Sequence, residues 1–180
     1  MKVIKAKTAG FCFGVKRAVD TVYKQVDTKC GQIYTYGPII HNEEVIKDMR
    51  DKGVIVLRSE EDLDMISQGT VIIRSHGVEK RIYEKIEQKG LRIVDATCPF
   101  VKKIHNIVSE KSGEGFHIII IGNPEHPEVV GIKGWAKDNV TVIQSAEDAE
   151  CFTADRKEKI CIVSQTTFNY NKFKDLVEII

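Results

Sequence analysis

Short runs of β-branched and apolar residues alternate along the chain with stretches of helical period. The runs Lys2–Lys7, Ile33–Ile39, Val54–Leu57, Val71–Arg74, Leu91–Asp95, His117–Ile121, Val140–Ile143 and Lys159–Val163 predict strands. After Cys12, the residues Val15, Ala18, Val19, Val22 and Val26 recur at the spacing of one helix face. The stretch from Ser59 to Asp62 has the form of a capping box opening a short helix, and Gly69 follows it. A further helix is predicted from Arg81 to Lys89, stopped by Gly90. Strands alternating with helices predict an α/β fold with mostly parallel sheets and helices on their faces.

In such sheets ligands collect beyond the carboxyl ends of the strands. The segments following the predicted strands are GFC at 10–12, IIHN at 39–42, RSHG at 74–77, ATCP at 96–99, GNPEHPE at 122–128 and SQTT at 164–167. Nearly every side chain suited to catalysis falls in one of these places, which predicts a single functional edge.

An internal echo supports this. Cys12 to Arg17 and Cys98 to Lys103 both read C-x-x-V-K-[RK], each expected to open a helix after a strand. His41 follows Cys12 by 29 positions and His126 follows Cys98 by 28. A second polar strand end comes later in each half, His76 in one and Thr166 in the other. The pattern predicts two similar α/β modules, residues 1–95 and 96–180, each presenting a cysteine at a helix N-terminus. That position favours a thiolate, the form that binds metal. Two thiolates are an incomplete set for structural zinc or for a cubane iron–sulfur cluster. The spacing of 86 between the cysteines, applied again, reaches position 184, past Ile180. The final stretch ends on Leu176, Val177, Ile179 and Ile180 without a polar finish, so a third module is expected to cover an apolar face there.

Composition narrows the class. The 180 residues are 42% hydrophobic and 29% charged, enough for an ordinary core, with a formal net charge of +1. No basic stripe points to nucleic acid. No apolar run reaches the roughly 18–20 residues of a membrane span, and the N-terminus lacks a signal peptide pattern, so the cytoplasm is expected. Five cysteines without an export signal favour metal or catalytic use over disulfides.

Bland readings stand beside these. Cys12, between Phe11 and Phe13, reads on its own as a small buried hydrophobe. Cys30, Cys151 and Cys161 read as structural thiols, and Cys161 in a strand points into a core. His105, inside a helix, and His117, at a strand start, read as packing or solvated residues. Thr167 or Asn169 suits an N-cap for the last helix. Gly77 and Gly122 fit close approach of backbone to an anion, and helix starts after His41 and His76 would add N–H groups.

Six strings together, AGFCFGVKRAV, HNEEV, RSHGV, DATCPFV, HPEVVG and SQTT, carry a resemblance over the whole length. In order and context the chain resembles the LytB-type 4-hydroxy-3-methylbut-2-enyl diphosphate reductases of the non-mevalonate isoprenoid pathway. The resemblance implies a cloverleaf of three α/β domains around a [4Fe-4S]-type cluster. Cys12 and Cys98 match two of its cysteine ligands, and the third is expected beyond Ile180. By the same likeness His41, His76 and His126 hold the substrate diphosphate, Glu128 delivers a proton, and Thr166 lies beside the substrate. The implied reaction reductively removes a hydroxyl from an allylic diphosphate, giving isopentenyl and dimethylallyl diphosphate, with a ferredoxin or flavodoxin as electron donor. Two alternatives stay open: a diphosphate-binding module without redox chemistry, and a zinc site using Cys12, Cys98 and two histidines.

Overall fold

A computed structural model describes residues 2–28, 31–155 and 157–180; Cys30 lies outside them. Two parallel sheets organise the chain. The first is built from β1 (Ile33–Tyr36), β2 (Ile55–Leu57), β3 (Thr70–Ile73) and β4 (Arg92–Asp95) in the order β2-β1-β3-β4. The second, from β5 (His117–Ile121), β6 (Val140–Ile143) and β7 (Ile160–Ser164), has the order β6-β5-β7. Every recorded strand pair is parallel, with registers such as Tyr36↔Ile73 and Ile121↔Ser164. Strand termini that carry polar side chains therefore gather at one edge of each sheet.

Helices flank both faces: α1 (Phe13–Thr28), α2 (Glu43–Asp51), α3 (Glu60–Asp64) and α4 (Lys80–Gln88) with the first sheet, α5 (Pro99–Gly113), α6 (Pro127–Lys133), α7 (Ala146–Cys151) and α8 (Tyr170–Ile179) with the second. Strands sandwiched this way are apolar on both sides, which explains the uninterrupted TVII and HIIII runs. Ile72 joins the core beside α1, whereas Val71 and Ile73 join the opposite one. Ile118 and Ile120 similarly separate from Ile119 and Ile121. Each of these seven residues is fully buried, a gain of about 2 kcal/mol apiece before entropy is counted.

Seven of the eight expected strands form, and Lys2–Lys7 does not. Val3 and Ile4 stay 81% and 78% exposed, because no strand edge takes up the backbone of this segment, whose recorded backbone bond is the turn from Ala9 N–H to Ala6 O. Alternating side chains cannot make a strand without a pairing partner. Cys12 thus reaches α1 from an irregular segment rather than a strand. The box at Ser59 forms by half: Ser59 Oγ accepts from Asp62 N–H at 3.3 Å, while the Asp62 carboxylate turns to Arg58 N–H. Asn169, not Thr167, caps α8 by accepting from Lys172 N–H. Leu176 is buried and Ile180 packs on the same core, while Val177 and Ile179 stay exposed.

Candidate functional site

Cys12 and Cys98 occupy equivalent places. The carbonyl of each accepts the first helical bond, from Lys16 N–H and Lys102 N–H at 2.9 Å. Both thiols are free; Cys12 is exposed and Cys98 half-buried, which removes the buried-hydrophobe reading of Cys12. The two helix starts abut. A methyl group placed on Gly14 would stand 2.6 Å from the Cys98 sulfur, so a residue without a side chain is what permits this approach. Arg17, one turn along α1, locks the arrangement by donating to the carbonyls of Thr97 at 2.9 Å and Asp95 at 3.4 Å. Cys98 N–H bonds Ser75 O, tying the same segment to the loop after β3. Cys151 is exposed at the end of α7, contrary to its reading as a structural thiol, because that short helix buries only Ala149. Cys161 sits early in β7, away from the strand ends, and burial raises its thiol.

Three histidines from both sheets converge. His41 follows β1, His76 follows β3 and His126 follows β5, and one ring nitrogen of each lies within 4.8 Å of the others. Ring centres are 4.9 Å apart for His41 and His76 and 5.5 Å for His76 and His126. Ser75 fastens the two loops of the first sheet, its hydroxyl donating to Ile39 O at 3.0 Å. Burial, then the like charges of His41, Arg74 and His126, lower the pKa of His76 to about 4. Burial also lowers that of His126, against the pull of Glu128. His126 Nδ1 caps α6 by accepting from Glu128 N–H at 3.1 Å, which leaves Nε2–H as the donor of the neutral ring. Near neutral pH His76 and His126 are therefore hydrogen-bonding groups rather than cations.

Glu128, only 2% exposed, points across to the end of β7. Thr166 N–H donates to Oε1 at 2.6 Å and Thr166 Oγ to Oε2 at 2.9 Å. Gln165 braces the neighbouring turn, accepting from Asn123 N–H and donating to Thr167.

Other expectations resolve differently. Gly77 and Gly122 make room for protein rather than an anion: a methyl on Gly77 would meet His105 Cε1 at 2.4 Å, and one on Gly122 would meet Val129 at 2.8 Å. α4 begins four residues past His76, so its N–H groups do not adjoin that ring; α2 begins two residues past His41. His105 is 1% exposed and stacks on Trp135 at 5.2 Å, while Trp135 Nε1 donates to Val78 O. His117 is a clamp at the opposite sheet edge, contacting Glu158 and Thr141. Sequence reasoning missed Arg17, Arg74 and Gln165; the adjacency of Arg74 to Ser75 and His76 was the available signal.

A family model described as LytB protein matches residues 3–180. The chain belongs to the LytB family. Among LytB relatives, the 4-hydroxy-3-methylbut-2-enyl diphosphate reductase of a Thermoanaerobacter species is 48% identical over 182 residues, covering 100% of this chain and 62% of that protein. The enzyme of the same name from Clostridioides difficile is 43% identical, covering 99% and 66%. The solved E-1-hydroxy-2-methyl-but-2-enyl-4-diphosphate reductase of Plasmodium falciparum aligns with a TM-score of 0.89 at 31% identity, over 96% of this chain and 54% of that one. A second solved structure, of (E)-4-hydroxy-3-methyl-but-2-enyl diphosphate reductase, described as the terminal enzyme of the non-mevalonate pathway, aligns at 0.81 with 38% identity, over 98% and 63%. The α/β architecture is that of these LytB structures. The chain spans about 62% of the length of the Thermoanaerobacter relative. Among the described residues, no helix is long and apolar enough to cross a membrane.

Proposed function

We propose that this chain supplies the first two α/β modules, residues 1–95 and 96–180, of a LytB reductase that removes the hydroxyl of 4-hydroxy-3-methylbut-2-enyl diphosphate, yielding isopentenyl and dimethylallyl diphosphate. The duplicated element order, helix-first with strand orders β2-β1-β3 and β6-β5-β7, supports the division. One observation carries the functional reading: nitrogens of three histidines drawn from both sheets lie within 4.8 Å of one another, and Gly14, two residues past Cys12, stands against the Cys98 sulfur.

The donor set fits an iron–sulfur cluster. Cys12 and Cys98 are free, reachable thiols at the starts of helices of 16 and 15 residues, where the dipole favours thiolate ligands. They would hold the cluster together with the third cysteine that the LytB resemblance implies, expected beyond Ile180. When bound, the cluster would deliver electrons, drawn from a ferredoxin or flavodoxin in the cytoplasm, and act as a Lewis acid on the departing oxygen. His41, His76 and His126 donate hydrogen bonds to the diphosphate. Glu128, itself buried and oriented by Thr166, passes a proton toward the departing hydroxyl. Thr166 also lies beside the substrate, its hydroxyl free to exchange partners as the carboxyl changes state.

Anaerobic reconstitution of the full-length protein with iron and sulfide tests this reading. A brown, catalytically competent protein, with cluster content lost on Cys12→Ser, is the expected result. Colourless protein loaded with zinc would establish the zinc alternative instead. Binding of inorganic diphosphate without reductase activity would leave the non-redox module.

A further inference from the structure

Arg74 is the positive charge nearest in sequence to the histidine cluster, and among the described residues it has no carboxylate partner. It follows β3 directly, two residues before His76, is half-buried, and forms no ion pair with a carboxylate among the described residues. Its Nε donates to Gly77 O at 3.3 Å, which arches the side chain over the loop holding His76. The far end of the guanidinium lies against Gly37, where the loop leading to His41 begins. A methyl there would stand 2.5 Å from Nη1, and the positive φ of 72° at Gly37 also suits glycine. Arg74 therefore bridges the two histidine loops of the first sheet.

A guanidinium withdrawn from water without a carboxylate is costly unless a ligand completes it. Burial lowers the pKa of Arg74, yet a guanidinium keeps its proton throughout the working range. His76 and His126, neutral near pH 7, do not supply that charge. A diphosphate carries about three negative charges, and neutral donors alone leave most of that charge unmatched in a partly dry site. The Arg74 cation also opposes a divalent metal on the same three imidazoles, although their spacing would admit one.

We infer that Arg74 supplies the permanent positive charge of the anion site formed by His41, His76 and His126, selecting a polyanionic diphosphate over a singly charged or neutral group. This rests on the proposed diphosphate-binding role of those histidines. Electrostatic attraction from Arg74 adds to their hydrogen bonds; its contact with Gly77 keeps the charge in place before the ligand arrives.

Calorimetric titration of the full-length protein with inorganic diphosphate, at several salt concentrations, tests the inference. Arg74→Gln is expected to weaken binding about tenfold or more and to flatten its salt dependence, whereas Arg74→Lys keeps most of the affinity. Proton NMR of the histidine rings in Arg74→Gln is expected to show His76 titrating at higher pH than in the parent, whereas Arg74→Lys, which keeps the charge, leaves it near the parent value. Diphosphate binding within twofold of the parent in Arg74→Gln, or Arg74→Lys as weak as Arg74→Gln, overturns the role of Arg74 while leaving the histidine site standing. Failure of the parent protein to bind diphosphate overturns the histidine reading and this inference with it.

Discussion

Thr166 holds both oxygens of Glu128, the backbone N–H on Oε1 and the hydroxyl on Oε2, across 38 positions of sequence. The acid enters from α6 and its clasp from the end of β7, so the orientation of the carboxyl depends on two separate elements meeting. Thr166→Val keeps the shape and the backbone bond but strips Oε2 of its donor at a 2% exposed site. A loss of about 1–3 kcal/mol in thermal unfolding is expected. Turnover should fall with it, and Thr166→Ser should restore both. Unchanged melting and turnover in the valine variant would show the hydroxyl to be dispensable.

Gly14 gives a second handle. Alanine inside a helix is normally more favourable than glycine by about 1 kcal/mol, and nothing in the backbone of Gly14 demands glycine. Its added methyl would nevertheless press on the Cys98 sulfur. Gly14→Ala is therefore expected to leave α1 intact by circular dichroism while lowering the iron and sulfide retained after anaerobic reconstitution of the full-length protein. Full cluster retention would mean that the contact can relax without consequence.

Arg17 fastens α1 to the segment before Cys98 through two carbonyls. Arg17→Ala removes a charge-assisted bond of about 1.5–3 kcal/mol and frees the approach of Cys12 to Cys98. Lower stability and faster alkylation of Cys98 by iodoacetamide are expected. Alkylation at the parent rate would place the restraint elsewhere.

Acid should unfold this protein in two stages. His76 and His105 both have pKa values lowered to about 4 by burial, against 6.5 in the unfolded chain. Between those values the unfolded chain binds more protons, so stability is complete above pH 6.5 and declines as pH falls toward 4. His105 alone would account for about 3 kcal/mol of that decline. Below this range Asp95 takes over. Burial would raise its pKa, but the Lys102 ammonium and the Thr97 donors hold it below the usual carboxylate value, so its contribution fades as pH drops through that lowered value. Urea melts from pH 7 to 4 check the first stage. His105→Leu should be less stable at pH 7, through loss of the Trp135 stack, yet show a shallower pH dependence.

Local pattern made much of this legible. The run HIIII marked β5 to the residue, because a buried parallel strand leaves an uninterrupted apolar signature. The string shared by Cys12 and Cys98 opens a helix in both places, although a strand precedes only the second. The failure at Lys2–Lys7 has the opposite cause: Val3 and Ile4 have the right alternation, but pairing is a property of neighbours. Arg74 was passed over because its burial and lack of a carboxylate are set by Gly37, a residue 37 positions away.

By itself, then, the chain determined its elements, their faces and the clustering of chemistry at strand ends, since periodic burial and turn residues act over a few positions. Only the tertiary structure decided that imidazoles of two sheets share one point, that Gly14 touches Cys98, that Glu128 answers to Thr166, and that Arg74 meets no carboxylate among the described residues. Those outcomes depend on how closely distant loops can approach, which packing of the two sheets sets and local preference does not.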